Sequence, residues 1–249
     1  MAKQTRSQQK RDPRLEQKPL HKEKYVKETV NGLTQFKPTE KQRQMLDVIR
    51  YNTLSVVEAP AGTGKTSTIL WDYCQEYLRD PTKKIVVVRT PVEAASLDKV
   101  GFLPNSLQEK CAPHFESTKR ILEEFLGKNK VECDMDQRIF FKIPNYMVGS
   151  TIDNALILID EGQLMQPMIM KLILERLGLN SRCSVVGDAS QIYANEREAK
   201  LRNGLSDMIY RFFDDDMKPL YPDVGYFSFD VEDVMRSEIV KTVISAYRK

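Results

Sequence analysis

The feature that most constrains this chain is an eight-residue run: Ala59, Pro60, Ala61, Gly62, Thr63, Gly64, Lys65 and Thr66. It is preceded by the apolar stretch Leu54–Glu58 and followed by Ser67 and a helical pattern over 65–79. A strand that passes through a glycine-rich turn straight into a helix is the context of a phosphate-binding loop. Gly62 and Gly64 let the backbone turn tightly, so that successive N–H groups face phosphate oxygens. The positive end of the following helix adds to that field. Lys65 reaches the β- and γ-phosphates, and the Thr66 hydroxyl is offered to Mg²⁺. Ala59 stands where the first glycine of such a loop is usual, a position that accepts a small residue when φ is negative.

The rest of the chain fits that beginning. Apolar runs at 84–89 and 155–160 read as buried strands, with 138–143, 184–188 and 225–229 as further candidates. Helical patterns run from Thr39 through Ile49 and lie near 65–79, 106–127, 166–177, 204–213 and 237–247. Pro113 predicts a break in the third of these. Thr39 is a candidate N-cap, with Gln42 at capping-box spacing. Strands that alternate with helices and carry near-continuous apolar side chains indicate an α/β fold with a mostly parallel central sheet covered on both faces. One such domain is expected over 37–249, with an inserted helical or hairpin segment near 104–150.

Composition narrows the class. Hydrophobic residues are 41% and charged residues 29% of the 249, a balance ordinary for a globular protein. No apolar run approaches the ~20 residues that span a bilayer, and MAKQTRSQQK has no secretory h-region, so no membrane partner is expected. Four scattered cysteines and two histidines predict neither a disulfide framework nor a structural zinc site. A reducing, cytoplasmic setting fits this usage. Residues 1–36 read as a polar tail. Within residues 1–30, nine Lys/Arg stand against four acids. Such an arm either holds nucleic-acid phosphates, with a salt-sensitive contribution, or is a solvated leader.

Further candidates follow from position. Asp160 and Glu161 end the strand at 155–160. There Asp160 can hold Mg²⁺ through water, while Glu161 polarises an attacking water. A second-position Glu suits hydrolysis and argues against a phosphoryl-transfer kinase. Gly187, Asp188 and Gln191 follow the strand at 184–188, and the Gln191 carboxamide can sense the γ-phosphate or the water. Gln42 lies before the loop and either reads an adenine edge or serves only its helix cap. Arg236, ahead of the last helix, either clamps the γ-phosphate, in cis or from a neighbouring subunit, or pairs with a surface acid such as Glu232. Arg89 either supports the site or touches nucleic acid.

Together APAGTGKT, RTPVEAASLDKVGFLP (89–104), MVGSTIDNALILIDEGQ (147–163), LERLGLNSRCSVVGDASQI (174–192), GLSDMI (204–209) and DVMRSEIVKTVISAY (233–247) resemble the PhoH family of P-loop ATPases. They are also similar to the first motor core of superfamily 1 helicases. The resemblance covers roughly 38–249. It implies a RecA-like, three-layer P-loop NTPase fold that takes ATP and Mg²⁺, with Lys65 and Thr66 in the nucleotide loop. Asp160 and Glu161 become the hydrolytic pair, Gln191 the sensor and Arg236 a trans-acting finger. It implies a homo-oligomeric ring, six-membered by analogy, acting on single-stranded RNA or DNA. Pro91, Glu93 and Phe102 would couple the nucleotide to that strand, although Phe102 equally suits a core. Val148 and Ser150 stand where the family usually has basic residues. Gly162 replaces the usual alanine of the acidic motif. The compact form is similar to versions carried by bacteriophages, which would place it in a host cytoplasm. The alternative is a nucleotide-dependent binding or scaffold protein with slow hydrolysis and no unwinding.

Overall fold

The computed structural model describes residues 29–30, 32–90, 107–144, 147, 149, 151–189 and 203–247. Two very short strands, β1 (Thr29–Val30) and β2 (Leu33–Thr34), pair antiparallel. They fall inside the segment read as a polar tail. The Thr34 hydroxyl donates to the Glu124 carbonyl at 2.6 Å, which fastens this hairpin to the body.

Helix α1 (Glu40–Tyr51) starts on Thr39, whose side chain accepts from the Gln42 N–H while the Gln42 side chain accepts from the Thr39 N–H. This is the expected capping box. Next come β3 (Leu54–Glu58), α2 (Lys65–Arg79) and β4 (Lys84–Arg89). They are followed by α3 (Leu107–Leu126), α4 (Lys128–Asp134) and β5 (Ile139–Lys142). Then β6 (Ala155–Asp160), α5 (Pro167–Leu174) and β7 (Arg182–Gly187) complete the middle of the sheet. The chain closes with α6 (Gly204–Phe212), β8 (Val224–Ser228) and α7 (Glu238–Tyr247).

Among the described residues six strands form one sheet in the order β5-β4-β6-β7-β3-β8, and each of its pairings is parallel. Parallel neighbours need crossovers, and the helices supply them on both faces. On one face α1, α2 and α3 bury Met45, Ile49, Tyr73, Tyr77 and Leu122 against Val57, Val87 and Leu158. On the other, α5 and α6 bury Met170, Ile173, Leu205 and Met208 against Val56, Ile157 and Val185. Each residue of β6 is buried. Burying a Leu or Ile of this kind contributes ~1.5–3 kcal/mol.

Three expectations are corrected. Pro113 does not break α3, which runs through it unbroken. The proline is exposed, and burial of Phe115, Leu122, Phe125 and Leu126 farther along outweighs the lost ladder bond. Nor is the segment near 104–150 a separate insertion among its described residues. There α3 packs on α2, and β5 joins the main sheet as an edge strand beside β4. Helix α5 also stops at Leu174 rather than 177, because Leu177 forms a bridge with Ile152. Among the described residues, no helix is long and apolar enough to cross a membrane.

Candidate active site

The turn between β3 and α2 has the conformation its glycines allow. Gly62 and Gly64 have φ of 93° and 75°, a region L-residues avoid. They also lack room for a side chain. A Cβ on Gly62 would fall 2.9 Å from the Arg236 side chain, and one on Gly64 would fall 2.7 Å from Gln42 Nε2. Ala59 is fully buried, and its N–H donates to the Gly187 carbonyl at 2.9 Å. The Thr63 hydroxyl donates to Pro60 O at 3.1 Å. Ala61 and Ser67 are half-buried on either side of this turn. The Lys65 ammonium curls over the loop and donates to Ala59 O at 3.1 Å and Pro60 O at 3.3 Å. Burial pushes its pKa down; Glu161, Asp160 and Asp188 pull it back up, and Arg236 adds to the lowering.

The tip of β6 brings the acids to the same place. Asp160 is buried, and its Oδ1 accepts from the Thr66 hydroxyl at 3.3 Å and from the Glu161 N–H at 3.2 Å. Burial pushes the Asp160 carboxyl above its ordinary range and the Glu161 charge pushes it further; Arg89 and Lys65 oppose both. Glu161 has a left-handed backbone, φ 54° and ψ 46°. That conformation costs a non-glycine residue ~1–2 kcal/mol, and here it turns the side chain off the strand axis at the head of the short 3-10 turn Gly162–Leu164. Thr66 and Asp160 thus offer two hard oxygen donors side by side. This set suits Mg²⁺, which takes one or two protein oxygens and fills its shell with phosphate and water.

Two residues beside Glu161 complete the arrangement. Arg89 ends β4 in register with Asp160. Its guanidinium lies 3.7 Å from Asp160 Oδ2 and 3.5 Å from Glu161 Oε1 and donates to the His114 carbonyl at 3.1 Å. Of its two readings, support of the site is the placement observed. Gln163 was given no role by the sequence. It is buried, donates through Nε2 to Glu161 Oε2 at 2.7 Å and accepts through Oε1 from the Asp188 N–H at 3.2 Å. Its one sequence signal was its place two residues after Glu161.

The C-terminal segment covers the loop from above. Met235 N–H donates to Gly62 O at 3.0 Å, and Arg236 lies along Gly62 of its own chain. Lys41 on α1 ties this segment down through Asp230 at 3.0 Å and Asp233 at 2.7 Å. Gln42 is buried, and its Nε2 donates to Thr63 O at 2.9 Å while its Oε1 serves the cap. Each end of the carboxamide keeps one further hydrogen-bonding position, and Nε2 also lies 3.9 Å from Met235 Sδ. Gln191, Pro91, Glu93, Phe102, Val148 and Ser150 lie outside the described residues.

Known proteins resemble this chain along most of its length. The family described as PhoH-like protein matches residues 36–248. A PhoH-like protein of Bacillus subtilis (strain 168) is 32% identical over 209 residues, 84% of this chain and 62% of that protein. The protein PhoH of Escherichia coli (strain K12) is 32% identical over 212 residues, 84% of this chain and 56% of that protein. The chain thus spans less than two thirds of the length of either relative. Among solved structures, the large terminase ATPase domain of Thermus phage P74-26 aligns at a TM-score of 0.46 and 12% identity, over 80% of this chain and 83% of that one. With the family matched from the hairpin's edge to the last helix, the chain belongs to the PhoH-like family, on an α/β P-loop fold.

Proposed function

We propose that the chain binds ATP with Mg²⁺ and hydrolyses it. The observation that carries this reading is the convergence of Lys65 and Thr66 from the β3–α2 turn with Asp160 and Glu161 from the tip of β6, joined by the 3.3 Å contact between Thr66 and Asp160. Loop N–H groups and the Lys65 ammonium would hold the β- and γ-phosphates. Thr66 and Asp160 would hold Mg²⁺, whose part is to neutralise phosphate charge. Glu161 would orient a water on the γ-phosphorus and take the proton it loses, as the bond to the β-phosphate oxygen breaks and ADP leaves. Arg236, lying on its own chain's loop, is suited to steady the γ-phosphate in cis. For this residue to serve a neighbour as a trans-acting finger, it would have to leave that position.

The wider reading rests on family membership together with this site. It is an oligomeric, ring-forming ATPase of the cytoplasm that couples turnover to single-stranded RNA or DNA, with a helicase-like role. Gln191 remains the proposed sensor. The test is ATP turnover with Mg²⁺, measured with and without single-stranded RNA, against Glu161→Gln. The expected result is turnover that rises several-fold with RNA and falls at least ~100-fold in the variant while ATP still binds. Turnover indifferent to RNA would favour the binding-scaffold alternative. Full turnover in Glu161→Gln would sink the hydrolytic assignment.

A further inference from the structure

The tips of β6 and β7 are joined by one side chain. Gln163 reaches from the 3-10 turn after β6, gives a hydrogen bond to the Glu161 carboxylate and takes one from the backbone N–H of Asp188. The chemistry of this bridge fixes its residue type. One end must donate to a carboxylate, and the other must accept from an N–H. A carboxamide offers both, a carboxylate only accepts, and an ammonium only donates. Glutamate at 163 would set a second negative group against Glu161. The bridge also explains Gly187: a Cβ there would land on the Gln163 carbonyl oxygen and 2.9 Å from Leu205 Cδ2. On its other side the Glu161 carboxylate faces Arg89 at 3.5 Å. Its two oxygens are thus held from two directions.

We infer that Gln163 is a positioning residue that aims Glu161 and ties its orientation to the strand end leading into the β7–α6 connection, with Gly187 as the space the device requires. The inference rests on the hydrolytic reading of Glu161. Movement of the Gly187–Asp188 peptide would then be felt at Glu161 through one amide; the same peptide's carbonyl accepts from the Ala59 N–H of the loop, so substituting Gln163 alone isolates the bridge.

The test uses the full chain and five proteins: wild type, Glu161→Gln, Gln163→Met (which keeps shape without the amide), Gly187→Ala, and Gln163→Ala with Gly187→Ala. Steady-state ATP turnover with Mg²⁺ and the melting temperature without nucleotide are measured for each. Expected is a fall in kcat of ~10-fold or more in Gln163→Met with KM within ~2-fold, the pattern of an interaction made in the transition state. Gly187→Ala should lose kcat similarly. The double variant should be no worse than ~2-fold below Gly187→Ala, because truncating Gln163 removes the clash; such non-additivity marks a shared element. Wild-type kcat in Gln163→Met beside an inactive Glu161→Gln overturns the inference and leaves the hydrolytic reading standing. Turnover retained in Glu161→Gln overturns both, by a different signature. Additive losses with KM and melting temperature falling together would make Gln163 a packing residue only, and would also overturn it.

Discussion

The two ends of the parallel sheet both gather buried charge, and they handle it differently. At the N-terminal end, Asp72 accepts from Arg50 at 2.7 Å and from Arg182 at 3.3 Å. Glu76 accepts from Arg182 at 2.9 Å and Lys83 at 3.1 Å. Arg138 nearby donates to the carbonyls of Tyr77, Asp80 and Lys83 and stacks 3.9 Å over the Tyr77 ring. At the C-terminal end, Arg89 stands 3.5–3.7 Å from its two acids, Lys65 holds only loop carbonyls, and a glutamate takes a left-handed backbone. The first cluster is closed: its charges are matched at hydrogen-bond distance and add to the fold. The second is held short of full pairing, so its attraction is still available to a polyanion. Charge alone does not mark a site in this molecule; unspent charge does.

Substitutions on each side can break that contrast. The largest effect is expected for Lys65→Ala, with turnover down on the order of 10³-fold, comparable to loss of another phosphate-stabilising cation. Its nucleotide-free melting temperature should stay level or rise, since burial already disfavours the Lys65 charge. A substantial fall in melting temperature would make the upper cluster structural after all. Next comes Asp72→Ala at the lower end. Leaving Arg182 and Arg50 without this buried partner should cost ~2–3 kcal/mol in urea unfolding, with kcat at a permissive temperature within ~2-fold. If kcat collapsed instead, the closed cluster would have to be counted as part of the site. The smallest is Thr39→Ala. Loss of the N-cap should cost ~1 kcal/mol and leave KM for ATP unchanged, unless the paired Gln42 depends on the cap to hold Thr63. A raised KM would therefore show that α1 positions the phosphate loop.

What was legible in the sequence was whatever chemistry requires to be contiguous. Residues 59–66 declare themselves because backbone N–H groups, a lysine and a hydroxyl must follow one another to surround a phosphate. Asp160 and Glu161 are visible because an apolar strand ends on them. Arg89 was singled out but left between two readings, because its placement depends on β4 lying beside β6 with Arg89 opposite Asp160, and register across parallel strands leaves no local pattern. Gln163 was hidden for a similar reason: one of its two partners lies on another strand. Gln42 was read with two roles; the cap is seen in its hydrogen bonds with Thr39, and the adenine contact stays a proposal. The hairpin at Thr29–Thr34 escaped because two-residue strands have no periodicity to detect. Pro113 misled because local propensity was overruled by what α3 buries.

The order of strands has a consequence for how the molecule comes into being. Strand β3, which carries the phosphate loop, is synthesised early, yet its two neighbours are Cys183–Gly187 and Val224–Ser228. The loop is completed by Gly187 and Met235. Such long-range parallel pairings form slowly, because a large chain entropy must be lost before any contact repays it. A nascent chain thus carries the whole phosphate-binding motif long before it has a place to put a nucleotide. On the proposed reading ATP would stabilise only the finished domain, since ligand linkage acts on the state that binds. A chain truncated before Val224 is accordingly expected to gain no ATP-dependent protection from protease, however intact its motif.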